Sequence, residues 1–178
     1  MDNSRKKYCV LVVFIIVFIL LFNQRYVQAV MLEDEVNGYS FEYPYDWKAA
    51  VFPDSKNLIK GEINKDNNTG AQIRIYQSTG DFRKFIDWYV DDFIQQMQKH
   101  WGGEMVISDE EFTTVAGYEC FVIILDFIRR DNKRWFLKQY LWPKGPEVLI
   151  LQFGTMFEMR TLNEPTIDEI TKSLKFIR

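Results

Sequence analysis

The side chains able to do chemistry are few. The single histidine, His100, stands at the end of a helical run, where an imidazole suits the negative end of the helix dipole. A Ser-His-Asp relay would need a nucleophile beside it, and the chain has no G-x-S-x-G elbow. One histidine and two cysteines, Cys9 and Cys120, do not supply a tetrahedral zinc set. Neither G-x-G-x-x-G nor a P-loop occurs, so no nucleotide phosphate has a cradle. Cys120 lies within an apolar run and reads as a small buried hydrophobe rather than a reactive thiol.

The carboxylates carry more choice. Asp87 and Asp91 are one helical turn apart with Asp92 adjacent, and Asp109-Glu110-Glu111 follow in the next segment. They read as solvated surface; as ligands for a hard cation such as Ca²⁺ they would make a calcium-dependent adhesion module. Asp66-Asn67-Asn68-Thr69-Gly70 resembles a calcium loop in composition only. Gly70 falls where an Asp or Asn is needed and no glutamate closes the loop, so a plain turn is expected. Asp126 sits inside an otherwise apolar strand, with Arg129, Arg130 and Arg134 within reach across a turn. Pairing with one of them is its structural reading. Acting with a second acid or base in a pocket, it would lead an extracellular hydrolase of unknown substrate. No residue is assigned a catalytic, cofactor-binding or metal-ligating role. Trp47 and Trp142, at the ends of elements, are the candidate anchors for a partner.

The elements that must hold these groups are legible from periodicity. Gly117 to Met159 reads as three consecutive strands. In Tyr118–Phe127 (YECFVIILDF), Phe121, Ile123, Leu125 and Phe127 share one face, and Tyr118, Cys120, Val122 and Ile124 the other. Both faces are apolar, so both need cover. Trp135–Trp142 runs back after the charged turn at Arg129–Lys133. Glu147–Phe157 returns after Pro143-Lys144-Gly145-Pro146. Turns this short permit only antiparallel pairing.

Upstream, Asn37-Gly38 marks a turn before the alternating strand Tyr39–Tyr43, and Leu58–Ile63 with Ala71–Gln77 forms a hairpin. Phe82–Trp101 is the clearest helix, apolar at i, i+3, i+4 and i+7, capped by Thr79 or Asp81 and stopped by Gly102-Gly103. Met105–Thr114 reads as a further strand. A second helix is expected near the end, capped by Asn163 or Thr166 and striped by Ile167, Ile170, Leu174 and Ile177. Two helices and roughly seven strands give an α+β fold, a central antiparallel sheet with helices on both faces.

At 178 residues, 47% apolar and 16% aromatic, the chain can fill one packed core and is not disordered. The first 29 residues hold four bases and one acid, so the overall charge of −3 leaves −6 on the remainder. An acidic body excludes nucleic acid as a natural partner. Asn3–Lys7 precedes an apolar run, Tyr8–Phe22, of 15 residues. As helix that spans roughly 22 Å, short of the ~30 Å hydrocarbon core. Val27-Gln28-Ala29 then offers small residues at the positions a signal peptidase reads, so cleavage is expected after Ala29. The competing reading is an uncleaved N-terminal anchor. Residues 1–29 are thus the leader and 30–178 a single domain outside the cytoplasmic membrane.

Gly38-Tyr39-Ser40-Phe41-Glu42-Tyr43-Pro44, followed by Trp47-Lys48, resembles the G-x-x-F-x-Y-P-x-x-W opening of PsbP-like domains. Gly117-Tyr118-Glu119 and the closing Ile170-x-x-Ser173-Leu174-Lys175-Phe176 are similar to the same family, over about residues 36–178. The resemblance implies an α/β/α sandwich with a central antiparallel sheet. Founding members are lumenal subunits of photosystem II that help retain calcium and chloride, and a fold relative binds the small GTPase Ran. Many bacterial members are secreted proteins or lipoproteins. The chain has no lipobox and no plastid transit signature, and no family ion ligand matches a residue here. Photosynthetic function is therefore not carried over. The expectation is a secreted or envelope-associated, non-catalytic accessory domain without a cofactor. It would contact a protein or membrane-bound partner and be peripheral to the membrane through that partner or an uncut leader.

Overall fold

The structure is a computed structural model that describes residues 28–78 and 80–177. Residues 1–27, on which the expected leader falls, and the alternative helix cap Thr79 lie outside the described residues. Among the described residues, ten strands lie in two antiparallel sheets, with two α-helices. The larger sheet contains β3 (Lys48–Val51), β4 (Ile59–Asp66), β5 (Thr69–Gln77), β6 (Glu104–Val115), β7 (Tyr118–Ile128), β8 (Arg134–Lys144) and β9 (Glu147–Met156). Its order is β3-β4-β5-β9-β8-β7-β6. The smaller sheet sets β2 (Tyr39–Pro44) between β1 (Ala29–Asp34) and β10 (Lys175–Phe176). Helix α1 is Phe82–Trp101 and α2 is Arg160–Lys172, the latter preceded by a 3-10 turn, Phe157–Met159.

The meander β7-β8-β9 pairs as expected, with Leu125 opposite Leu137 and Leu141 opposite Ile150. Both of its faces are covered. On one, Phe121, Ile123, Leu125, Leu141 and Ile150 pack with Phe85, Ile86, Tyr89 and Phe93 of α1. Burial of each such side chain contributes about 1.5–3 kcal/mol. On the other, Cys120, Val122, Tyr140, Trp142 and Leu151 pack with Tyr39 and Phe41 of the small sheet and Ile167 and Ile170 of α2. Instead of a helical layer on both faces, the second cover is shared between one helix and a three-stranded sheet. The expected count of roughly seven strands omitted β1, β3 and β10: β1 runs on from the expected leader, and strands of four and two residues have too little period to read.

Local chemistry sets the element ends. Asp81 caps α1, its Oδ1 accepting from the Lys84 amide at 3.1 Å, and Gly102 ends it at φ +61° with its amide donating to Gln98 O. The β1–β2 turn is held by Asp34, whose carboxylate accepts from the backbone and side-chain nitrogens of Asn37 at 3.0 and 2.7 Å. The second helix departs from expectation. It starts at Arg160 without a side-chain cap, carries Pro165 inside it, and ends at Lys172, so Leu174 and Ile177 of the expected stripe lie beyond it. Asn163 does not cap, because tertiary partners claim its amide: Nδ2 donates to Thr69 Oγ1 and Thr155 Oγ1 at 3.2 and 3.1 Å, and Oδ1 accepts from Lys65 Nζ at 2.9 Å.

Candidate functional site

The two expected anchors are not on the surface. Trp47 is 5% exposed and Trp142 0%, the latter stacked on Tyr140 at 5.7 Å between centroids. The small sheet and α2 roof the ends of their strands, so neither indole can serve a partner directly. Asp126 lies near the end of β7, its Oδ2 accepting from Arg134 Nη2 at 3.0 Å. Its Oδ1 is buried without a hydrogen-bond partner among the described residues. Paired with an arginine at the sheet's rim, it is the structural ion pair rather than the leading acid of a hydrolase. Asp87 and Asp91 are exposed on α1, and Asp109, Glu110 and Glu111 on β6. Among the described residues no group of three or more His, Cys, Asp or Glu is arranged to hold a metal ion. No described helix is long and apolar enough to cross a membrane. Burial pushes the Cys120 thiol up to about 12, so it is no nucleophile near neutral pH.

Two other features stand out. The first is β6, the last strand of the large sheet, whose backbone has a neighbour on one side only among the described residues. Its apolar Val106, Ile107 and Phe112 are exposed, and it carries Glu104, Asp109, Glu110 and Glu111. A register shift between Ile107 and Asp109 bends it. On the α2 side, Asp109 and Glu111 border a groove whose floor is Val122 and Ile124 and whose far wall includes Lys138 and Tyr140. Lys138 is a buried cation held by α2: Nζ donates to Asp168 Oδ1 at 2.8 Å and Glu164 Oε1 at 3.1 Å. Desolvation pulls its pKa down, but the hydrogen bonds with Asp168, Tyr140 and Glu164 outweigh it and hold the ammonium above its ordinary value.

The second feature is a hollow of about 290 Å³ on the α1 face of the sheet, at the C-terminal end of that helix. Its floor crosses the strands in two rows. Gly70 on β5 faces Gly154 on β9, which faces Leu137 on β8; beside them Gln72 faces Gln152, whose other neighbour, Gln139, lies outside the lining. Gln139 is 0% exposed; its Nε2 donates to Gln152 Oε1 at 3.0 Å while its Oε1 has no partner among the described residues. Arg74 Nε and Trp135 Nε1, both in lining residues, are likewise buried and unpartnered among the described residues. A buried donor or acceptor left unmade costs about 1–3 kcal/mol, so two such donors in the lining of one hollow are a notable concentration. Trp101 from α1 and Trp135 from β8 form aromatic walls, with the Arg129 guanidinium 4.4 Å from the first ring and 6.0 Å from the second. From sequence, Asp66–Gly70 is weighed only as a calcium loop and Arg129 only as a partner for Asp126; none of the lining residues is read there as part of a pocket. A signal existed: Gln139 and Gln152 interrupt apolar runs at positions that period-2 alternation puts on one face.

With the geometry described, the class of fold is clear: it is PsbP-like. The solution structure of cyanobacterial PsbP (CyanoP) from Synechocystis sp. PCC 6803 is similar at a TM-score of 0.67 and 10% identity, over 84% of this chain and 93% of that one. The Ran-binding protein Mog1p of Saccharomyces cerevisiae is similar at 0.58 and 7% identity, over 84% and 96%. LpqN of Mycobacterium tuberculosis, involved in cell envelope biogenesis, is similar at 0.55 and 15% identity, over 88% and 94%. At such identities the likeness is one of fold. No protein-family model matches the sequence, and no curated protein matches it.

Proposed function

We propose that this protein is a secreted or envelope-associated, non-catalytic accessory domain that binds an extended, basic segment of a protein partner along β6. The observation that carries the reading is the open edge of that twelve-residue strand. An edge strand offers a row of backbone donors and acceptors to an incoming strand, and pockets beside it select alternate side chains. A segment paired there would set one series of side chains near Ile107, Glu110 and Phe112, and the other near Asp109 and Glu111. The acids favour lysine or arginine in the second series. They also oppose pairing of β6 with a second copy of itself, which would bring acid near acid. The leader supports a location outside the cytoplasmic membrane, as does the fold shared with an envelope-biogenesis protein. That a fold relative is Ran-binding supports a protein partner rather than a reaction.

The test is site-specific photo-crosslinking in envelope preparations. A crosslinker replacing Phe112 (39% exposed, on β6) is compared with one replacing Val51 (37% exposed, on the opposite edge strand β3). A discrete adduct from position 112 that disappears in Asp109→Lys/Glu111→Lys is expected. Equal adducts from both edges, or none from 112, would refute the assignment.

A further inference from the structure

We propose that the hollow at the C-terminal end of α1 is a binding site for a small planar carboxylate, separate from the partner strand and independent of that reading. At about 290 Å³ it lies at the lower end of the ~300–1,000 Å³ range of ligand pockets, which suits a compact organic molecule rather than a chain. Gly154 leaves room in its floor, since a Cβ there would meet only the Leu137 side chain, whereas the space beside its cross-strand neighbour Gly70 is taken by the Asn64 side chain, another lining residue. The chemistry of its wall selects the ligand. Trp101 and Trp135 offer flat apolar surfaces of the kind that stack on a ring.

Charge decides the rest. The lining holds two guanidinium groups, Arg74 and Arg129, against one carboxylate, Asp66. Asp66 is already engaged, its Oδ1 accepting from the Asn68 amide at 2.7 Å. Arg129 has a distant carboxylate in Asp131, 3.6 Å away, whereas Arg74 binds, among the described residues, the neutral Gln72, Nη2 to Oε1 at 2.8 Å. Arg74 Nε and Trp135 Nε1 remain as buried donors without acceptors among the described residues. Donors in excess, cationic and beside aromatic rings, match an anion with at least two acceptor oxygens on a flat body. Gln72 and Gln152 supply a neutral polar floor that neither repels nor neutralises it.

The probe is 2-naphthoate, titrated into the purified protein while the indole N–H resonances are followed by NMR; its uncharged carboxamide is the comparator. Saturable shifts are expected at Trp101 and Trp135 and not at the enclosed Trp142, with the carboxamide binding at least tenfold more weakly. Gly154→Val, whose added Cβ meets only the Leu137 side chain at 3.1 Å, fills the hollow and should abolish the shifts. Arg74→Gln should bind acid and amide alike. The proposal is overturned if naphthoate gives no saturable shift at Trp101 and Trp135, if acid and amide bind the parent protein equally, or if Arg74→Gln still prefers the acid. Undiminished binding to folded Gly154→Val would overturn it too.

Discussion

Lys138 Nζ lies 2.8 Å from Asp168 Oδ1, joining the middle of the large sheet to the last helix. A second carboxylate, Glu164, is 3.1 Å from the same nitrogen and is itself bound by Arg160 Nε at 2.9 Å. Lys138→Ala would leave Asp168 and Glu164 near each other without their shared cation. Breaking a fully buried pair costs ~3–5 kcal/mol; with the Asp168 side chain 38% exposed, the loss should be about 2–3 kcal/mol. Urea denaturation measures it, and Lys138→Met, which keeps the stem's packing, should lose less.

Trp142 is the largest fully buried side chain, stacked on Tyr140 and tilted against Phe41 at 6.2 Å. Trp142→Ala should destabilise by about 3–5 kcal/mol. Trp88→Ala, on the exposed face of α1, should cost less than about 1 kcal/mol. Equal losses would place the core elsewhere.

Stability should fall at alkaline pH. Burial raises the Cys120 thiol from its ordinary 9.0 to about 12. Burial, then the nearby Asp34, raises the Tyr39 phenol; burial, then Tyr76, raises Tyr89; burial, then Asp168, raises Tyr140. Lys138 is raised as well. Each group keeps its proton in the folded protein at a pH where the unfolded chain has lost it. The folded state therefore binds more protons, and stability decreases as pH rises. The decline should begin near pH ~9 with the thiol and steepen above ~10 as the tyrosines and Lys138 join. Denaturation midpoints across that range check it; Cys120→Ala should flatten the first part only.

Gly103 joins α1 to β6 at φ +90°, and a Cβ there would lie 1.8 Å from the Ile128 carbonyl oxygen. Gly103→Ala must therefore pay the left-handed penalty of about 1–2 kcal/mol and shift backbone as well. A melting temperature unchanged from the parent would show that the loop has another conformation.

The parts of the fold legible from sequence are those with many repeats of a local signal. Phe82–Trp101 was readable to the residue, because twenty residues sample the 3.6 period over five turns and both caps are adjacent in sequence. The last helix was readable in kind but not in bounds, since Asn163 looks like a cap and acts as a bridge to β5 and β9. The tryptophan anchors failed for a related reason. A residue at an element's end is exposed only if no other layer crosses it, and β1, β2 and β10 cross here.

The alternation of apolar side chains along Tyr118–Met156 determined by itself that an antiparallel meander with two hidden faces would form, because a strand's period of two assigns each residue a side before any partner is known. Position along that meander also fixed Asp126 within reach of Arg134. Which strand would be left at the edge, which indoles would be enclosed, and where two glycines and three glutamines would line up were decided only by tertiary structure. Those features depend on register between segments as distant as Gly70 and Gly154, and no local period encodes it.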